Sequence, residues 1–596
     1  MWLARMPQLG LLLAALLQLA AAATPQAPLA TGKYYYEADE AASALQAGRT
    51  RRIAIIGAGP SGTSAAYYLK RAQDRLASGN FSATTEALDI TIYERENRIG
   101  GRVAVVYPHD DDTHDPIELG ASIFADVNLN LRRAVKHFAL ETGAHMGMDG
   151  QMGIWDGQQF LFEGDQSSWW TSAKFFLRYG YSAITTESVV KKQLAAFGAL
   201  YSPSFLHARG QAERNAAATA SGYPWTSIER LADAVNASAL AATTGMQFFK
   251  ERRVSELFIE EMVEAATRVN YAQDTDQIHG FGALVSLAAS GATGVKKGNY
   301  RIFEEFARRS GARVLTGVQG QVTGIVRLPK PTRGRRVAND VQWYVGAKSG
   351  EGEVYDAVII ATPWHNADIT LLNTPERVKA KPFVHLHVTL LTTTRASPRP
   401  EYFGLGSQDV VPRTILTSDE SVRRAQDKHK PVPEPEPEDP GTEPPSLGGK
   451  LKTPKHEFFS LNYLRSIERN LSSNKEKEYV VKIFSAAPVT DSMLDALFGR
   501  ETLTWVRRHE WDSYPYLTPT ERFPAVQIDE GLVYPNAMES LVSTMETSTI
   551  ASRNAVALLL EKWYGAEFVH GSECSFEELK DPMDNPNWAG WGCDAA

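Results

Sequence analysis

Residues 52–62 read Arg-Ile-Ala-Ile-Ile-Gly-Ala-Gly-Pro-Ser-Gly, a short apolar run followed at once by a glycine-rich turn. The run predicts a buried β-strand, and the small and apolar residues that continue to Leu69 predict a helix. The turn consists of Gly57, Ala58, Gly59, Pro60, Ser61 and Gly62. Its G-x-G-x-x-G spacing is typical of dinucleotide-binding folds, where the glycines permit a tight turn and close approach of a pyrophosphate. We therefore predict a dinucleotide phosphate site at the N-terminus of this helix.

A second strand, Leu88 to Glu94, ends in the acidic residue that such folds place against ribose hydroxyls. The polar stretch 78–84 explains the long interval between the turn and this acid, because it has the composition of a surface insertion. Arg95 follows directly and is a further candidate cofactor contact. We predict that Glu94 binds the ribose.

A second glycine motif favours FAD over NAD. Arg98-Ile99-Gly100-Gly101-Arg102 resembles the R-x-G-G-R run of the flavin-dependent amine oxidase superfamily. Paired glycines allow close backbone approach, and Arg102 can pair with phosphate. The resemblance extends to five further segments, and it implies that the cofactor is contacted by Gly101, Arg102, Gly120, Ala121, Ser122, Val322, Thr362, Glu539, Met545 and Glu546.

Three of these segments also carry structural predictions. Residues 355–361 and 531–539 are each predicted to contain a strand, and a long helix is predicted from Thr547 to Trp563. In the superfamily that helix points its N-terminus at the flavin, where its dipole stabilises the reduced, anionic ring. The implied fold class is α/β: a two-domain flavin oxidase with a Rossmann-like FAD-binding domain, built from discontinuous segments, and an α+β substrate domain.

The chain as a whole resembles the prenylcysteine oxidases, also called prenylcysteine lyases. The resemblance is carried by Gly62–Leu69, Asn270-Tyr271-x-Gln273, Gly282–Leu287 with Gly298-Asn299, and 536–548. It implies an FAD-dependent oxidase that removes hydride from the allylic carbon of S-farnesyl- or S-geranylgeranylcysteine. Water and O2 would then give cysteine, a prenyl aldehyde and H2O2. Asn270, Tyr271 and Gln273 are the candidate catalytic residues, although the main chemistry would belong to the flavin.

Two alternatives remain open. One is an amine or amino-acid oxidase of the same fold, and the other is a catalytically inactive flavin-fold protein that binds lipid or a partner. Aromatic residues are dense between Trp155 and Tyr181, where they either line an isoprenoid channel or form core. No nucleic-acid partner is expected for a chain with a net charge of −8.

The domain prediction divides the 596 residues as follows. Residues 1–23 form a signal peptide, with Arg5 before an apolar run that ends in small residues, and 24–50 form a polar leader. The FAD-binding domain takes 51–130, 301–370 and 531–565; the substrate domain takes 131–300, mainly helical, and 371–530; and 566–596 form a tail. Residues 427–455, rich in Pro and Glu, are predicted to be a disordered insert.

The signal peptide predicts entry into the secretory pathway, with a lysosome, a vacuole or the extracellular space as destination, and no transmembrane segment after its removal. Sequons at Asn80, Asn236 and Asn470 predict glycosylation, and the two cysteines, Cys574 and Cys593, are predicted to form a disulfide. Because both cysteines lie in the tail, we predict noncovalent binding of FAD. No metal site is predicted: His385 and His387 share a strand face, but the sequence shows no third ligand.

Overall fold

The parallel sheet that carries the glycine turn brings together distant parts of the chain. A computed structural model describes residues 50–78, 87–143, 151–165, 169–202, 206, 223–328, 341–419, 458–471, 474–571, 583 and 588–592. The strand order of this six-stranded sheet is Gln527–Asp529, Leu532–Val533, Ala357–Ile360, Thr50–Ile56, Ala87–Glu94 and Arg313–Thr316. All neighbours are parallel except the first pair. The central strand is almost wholly buried, as its unbroken apolar run predicts.

Two other sheets flank this one. A four-stranded sheet has the order Gly352–Tyr355, Trp343–Ala347, Val322–Arg327 and Thr370–Leu372. A seven-stranded sheet has the order Leu503–Pro515, Phe383–Thr393, Asn474–Ser485, Ser460–Leu471, Thr414–Thr417, Gln151–Trp155 and Phe160–Asp165. Two short pairs complete the strands: Val105–Val106 with Ile117–Glu118, and Thr142–Gly143 with Gly294–Val295.

Eleven of the described α-helices have six or more residues. They are Pro60–Ala77, Leu129–His137, Trp169–Tyr179, Ser182–Gly198, Ile228–Ala234, Gly245–Glu251, Glu264–Tyr271, Gly280–Val285, Tyr300–Ser310, Asp491–Phe498 and Met545–Tyr564. We call Pro60–Ala77 the first helix and Met545–Tyr564 the terminal helix. The two pack against each other beside the six-stranded sheet, and the Ser552 hydroxyl donates to the Ser61 carbonyl oxygen across their contact at 2.6 Å. None of the described helices is long and apolar enough to cross a membrane.

Two predicted strands differ from the structure. Residues 355–361 are divided between two sheets, because the Asp356 carboxylate accepts the Arg52 backbone N–H and interrupts the strand. Within 531–539 only Leu532–Val533 is a strand, and Pro535–Ser540 is a 3₁₀ helix with Pro535 at its first position. The strand Gln527–Asp529 lies before the predicted boundary at 531 but belongs to the six-stranded sheet.

Several predictions fall outside the described residues. These are the signal peptide and leader, Asn80, the insert 427–455, and Cys574 with Cys593. Asn236 is exposed, whereas the side chain of Asn470 is not described. All of these remain predictions.

Candidate active site

One cavity of about 650 Å3 collects most of the predicted cofactor residues. It opens at the carboxyl ends of the parallel strands, where α/β sheets bind their ligands, and its volume is typical of cofactor and ligand sites. The predicted residues that line it are Gly57, Gly59, Pro60, Ser61, Glu94, Arg95, Gly101, Arg102, Gly120, Ala121, Ser122, Asn270, Tyr271, Thr362, Met545 and Glu546. Ala58, Gly62 and Glu539 lie behind this wall, Gln273 is buried away from it, and Val322 lies in the four-stranded sheet.

The glycine turn leaves the start of the first helix open to the cavity. Gly57 has a φ of +108°, and a Cβ there would lie 2.6 Å from the Ala361 carbonyl oxygen, so no larger residue fits. The helix begins after Gly59 with no side-chain cap and no acidic residue in its first turn. Its N-terminal N–H groups can therefore receive a diphosphate.

Glu94 ends its strand directly beneath this turn. Its carboxylate accepts the Ala58 N–H at 2.8 Å and the Glu96 N–H at 2.9 Å. Burial raises the pKa of Glu94, and these two N–H donors oppose the rise. The carboxylate is thus held rigidly at the cavity wall, where the ribose-binding acid is predicted.

Arg102 is fixed by partners on the far side of the cavity. Its guanidinium donates to the Glu539 carboxylate at 2.6 Å and to the Ser513 carbonyl oxygen at 2.8 Å. Glu539 also accepts from the Asn536 amide and the Ser543 hydroxyl. Glu539 therefore orients Arg102 in this structure and does not itself line the cavity.

Glu546, in the first turn of the terminal helix, joins two helices. The carboxylate accepts the backbone N–H groups of Asn130 and Leu131 at 2.9 and 3.0 Å and the Tyr201 hydroxyl at 2.7 Å. It thereby caps the helix Leu129–His137, which has no side-chain cap of its own. Burial raises the pKa of Glu546, and these three donors oppose the rise.

A buried charged network supports the segment 120–122, and the sequence analysis missed it. The Lys482 ammonium donates to the Glu118 carbonyl oxygen at 2.7 Å and to the Ser122 hydroxyl at 3.1 Å. Asn299 donates its side-chain amide to the carbonyl oxygens of Ala121 and Ser122, and its backbone N–H to the Glu118 carboxylate. Burial lowers the pKa of Lys482 to about 7 and raises that of Glu118 well above its usual value. In the sequence, only the Gly298-Asn299 signature pointed to a residue of this network, Asn299.

The three candidate catalytic residues have different environments. The Asn270 amide donates to the carbonyl oxygens of Ala266 and Ser286, and the Tyr271 hydroxyl lies 3.4 Å from the Ser543 carbonyl oxygen. Both residues line the cavity. The Gln273 amide instead links its own loop to Leu517, accepting that backbone N–H at 2.7 Å. The contacts of Gln273 are therefore those of a positioning residue, and the catalytic role of all three stays a prediction.

The cavity wall holds polar atoms that lack partners among the described residues. They are one guanidinium nitrogen of Arg98, the indole N–H of Trp511, the hydroxyl of Ser513 and the amide oxygen of Asn536. Buried polar atoms are normally paired, so these atoms indicate a polar ligand. Cationic, N–H and hydroxyl donors beside an uncapped helix fit a dinucleotide such as FAD.

The opposite wall of the same cavity is apolar. It is formed by the helices Ser182–Gly198 and Gly280–Val285 and the turn that follows, through Leu194, Phe197, Phe281, Leu284, Val285 and Ala288. None of the described aromatic side chains between 155 and 181 lines this cavity. Trp155, Phe162, Phe175 and Tyr179 pack in the core, whereas Phe176 and Tyr181 are exposed. Phe175, for example, stacks edge-on against Tyr179 at 4.8 Å.

The sequence matches two family models. The prenylcysteine lyase model matches residues 162–569, more than half of the chain. The chain belongs to the prenylcysteine lyase family. The model of an NAD(P)-binding Rossmann-like domain matches residues 55–138 and confirms the predicted Rossmann-like fold.

Curated relatives of this family are similar over nearly their whole length. Prenylcysteine oxidase 1 of Homo sapiens is 27% identical over 565 residues, which cover 89% of this chain and 93% of that protein. Farnesylcysteine lyase of Arabidopsis thaliana is 26% identical over 546 residues, which cover 87% of this chain and 90% of that protein. A solved structure of a redesigned putrescine oxidase covers 86% of this chain and 99% of its own, at 11% identity and a TM-score of 0.47.

The two matched regions contribute different walls of the cavity. The Rossmann-like match contains the glycine turn, Glu94 and the segment 120–122, whereas the prenylcysteine lyase match contains the apolar wall and the start of the terminal helix.

Proposed function

We propose that this chain is an FAD-dependent oxidase that cleaves S-farnesyl- or S-geranylgeranyl-L-cysteine in the breakdown of prenylated proteins. Prenylcysteine, water and O2 would give cysteine, the prenyl aldehyde and H2O2. The observation that carries the proposal is the single cavity in which a dinucleotide cradle faces an apolar wall, in a member of the prenylcysteine lyase family. A hydrophobic chain and a cofactor can therefore meet within one cavity.

The described residues have defined roles toward FAD. The open start of the first helix would face the diphosphate, Glu94 the ribose, and Arg98 and Arg102 the negative charge along the cofactor. When bound, FAD supplies a two-electron acceptor that O2 reoxidises. We propose noncovalent binding because both cysteines of the chain, Cys574 and Cys593, follow the segments that form the cavity.

The substrate needs positioning more than acid–base catalysis. Loss of hydride leaves the carbon between sulfur and alkene with a positive charge that both neighbours stabilise, so no strong base is required. Water then adds to this carbon, and the resulting hemithioacetal breaks its C–S bond to release the thiol and the aldehyde. Burial of the prenyl chain against Phe197, Phe281 and Leu284 would contribute roughly 0.8 kcal/mol for each methylene group.

The proposed location is the secretory pathway, ending in a lysosome, a vacuole or the extracellular space. It is supported by the leader pattern of residues 1–23 and by the sequons at Asn80, Asn236 and Asn470. Resistance of the glycosylated form to endoglycosidase H, together with microscopy of the tagged chain, would test it; an unglycosylated cytosolic protein would contradict it.

The activity is tested with purified protein and a peroxide assay. We expect H2O2 from S-farnesylcysteine and S-geranylgeranylcysteine. We expect none from S-hexadecylcysteine, a matched control whose saturated carbon lacks the alkene that stabilises the cation. Peroxide from spermine or free amino acids alone would instead support the amine oxidase alternative.

A further inference from the structure

Two histidines and two carboxylates form a ladder across neighbouring antiparallel strands. In the pairing of Phe383–Thr393 with Leu503–Pro515, His385 lies opposite Asp512 and His387 opposite Glu510. Residues two apart on a strand share one face, so all four side chains project from the same side of the sheet. Glu510, on the neighbouring strand, therefore lies beside the two histidines, where the sequence alone did not place it.

The distances among these groups approach those of a bound metal ion. A Glu510 carboxylate oxygen lies 3.5 Å from His387 Nδ1 and 3.8 Å from His385 Nε2. One ligand atom from each of the three residues lies within 4.8 Å of the others. Ligands at about 2.0–2.1 Å from a tetrahedral Zn2+ are roughly 3.4 Å apart, so small side-chain rotations would bring these atoms onto one ion.

Asp512 provides the orienting contact that metal-binding histidines normally have. Its carboxylate pairs with His385 Nδ1 at 3.0 Å, which leaves His385 Nε2 directed toward Glu510. The other oxygen of Asp512 pairs with His365 Nε2 at 2.9 Å. Because the side chains of His385 and Glu510 are 54% and 65% exposed, an ion can reach the site from solvent.

The other cluster of potential ligands among the described residues is already neutralised. Glu264, Asp274 and Asp419 also lie close together, but Arg268 forms ion pairs with both aspartates at 2.6 and 3.2 Å. Among the described residues, the ionic contacts of His385, His387 and Glu510 are with one another and with Asp512, and none is with a lysine or arginine.

We propose that His385, His387 and Glu510 bind one Zn2+ ion, with water in the fourth position and Asp512 orienting His385. Two imidazole nitrogens and one carboxylate oxygen are a donor set that zinc accepts, with the open position left by three protein ligands. The site lies beside the cavity, since Asp512 also lines the cavity wall. The proposal is independent of the proposed oxidase activity.

The test is calorimetric titration of untagged, chelator-treated holoenzyme with Zn2+ alone. We expect one ion per chain, and we expect Co2+ at the same site to show the visible absorption of tetrahedral coordination. His385→Gln and Glu510→Gln should each weaken binding at least about tenfold, as should Asp512→Asn. The control is His137→Gln, an exposed histidine on a different element.

Glu510→Gln keeps the test decisive if a histidine variant fails to fold. Glu510 is exposed, and the glutamine side chain has the same shape as the glutamate side chain, so this variant should fold. Thermal denaturation and the visible spectrum verify that each variant is folded. Absence of stoichiometric binding by the wild type would overturn the proposal. So would unchanged affinity in folded Glu510→Gln, or an equal loss in His137→Gln.

Discussion

Replacing Gly59 by alanine should separate cofactor binding from folding. Gly59 has a φ of −80°, and a Cβ added there would meet nothing nearer than the Gly101 Cα at 3.8 Å. Alanine reduces the conformational entropy of the unfolded chain, which stabilises the folded protein by about 0.4–1 kcal/mol. This gain is offset because alanine is a poorer N-cap residue than glycine by a similar amount. We therefore expect the free energy of unfolding of the cofactor-free protein to change by less than about 1 kcal/mol.

The same methyl group would enter the cavity where the diphosphate approaches the first helix. Loss of one hydrogen bond to a charged group costs about 1.5–3 kcal/mol, which corresponds to roughly 10- to 150-fold weaker binding of FAD. Titration of deflavinated protein with FAD, followed by flavin fluorescence, measures this change. Thermal denaturation of the same samples measures stability.

Gly62→Ala is the matched control, because its Cβ would lie 1.8 Å from the Gly57 carbonyl oxygen. The turn cannot keep its shape around that contact, so this variant should lose stability with or without FAD. Two results would contradict a diphosphate site at this turn: binding of FAD by Gly59→Ala within threefold of wild type, or destabilisation of the cofactor-free protein by Gly59→Ala as large as that by Gly62→Ala.

Three further predictions concern Arg268, Lys381 and Phe197. Arg268→Ala leaves two paired aspartates without their cation and should lower the free energy of unfolding by about 3 kcal/mol, measured by urea denaturation. Burial lowers the pKa of Lys381 from 10.5 to about 8. Between pH 8 and pH 10.5 the Lys381 amine is therefore protonated in the unfolded chain and neutral in the folded one, so the free energy of unfolding of the wild type rises with pH over this range. Lys381→Met should lack this rise and be more stable than wild type at pH 7 by about 1–3 kcal/mol; equal pH slopes would contradict this. Phe197→Ala should lower kcat/KM for S-farnesylcysteine roughly 5- to 100-fold with FAD retained, whereas Phe176→Ala, outside the cavity, should not.

The cofactor half of the site could be predicted because its signals are local. An apolar run, a glycine turn and a helix with small residues lie within residues 52–69, and each constrains the backbone directly. The predicted strand at 52–56 lies within Thr50–Ile56, and the predicted helix, which continued to Leu69, lies within Pro60–Ala77. The division of 355–361 was missed because it depends on one long-range hydrogen bond from Arg52.

The rest of the site depends on strand register and on pairings between distant segments. Lys482 supports Ser122, Glu546 caps a helix that begins at Leu129, and Glu510 meets His387 only through the pairing of two strands. No local pattern encodes such contacts, since a lysine or glutamate in an alternating strand predicts an exposed face. The sequence left open whether the aromatic residues between Trp155 and Tyr181 line a channel or form core, and the apolar wall is provided by two helices elsewhere in the chain.

The reaction of a flavin with a prenyl thioether in one cavity would change the visible spectrum of the protein. Purified chain should be yellow, and anaerobic addition of S-farnesylcysteine should bleach the flavin bands. Admission of air should restore them and yield one H2O2 for each aldehyde. A colourless protein, or a yellow protein that amines bleach and S-farnesylcysteine does not, would contradict the proposed reaction.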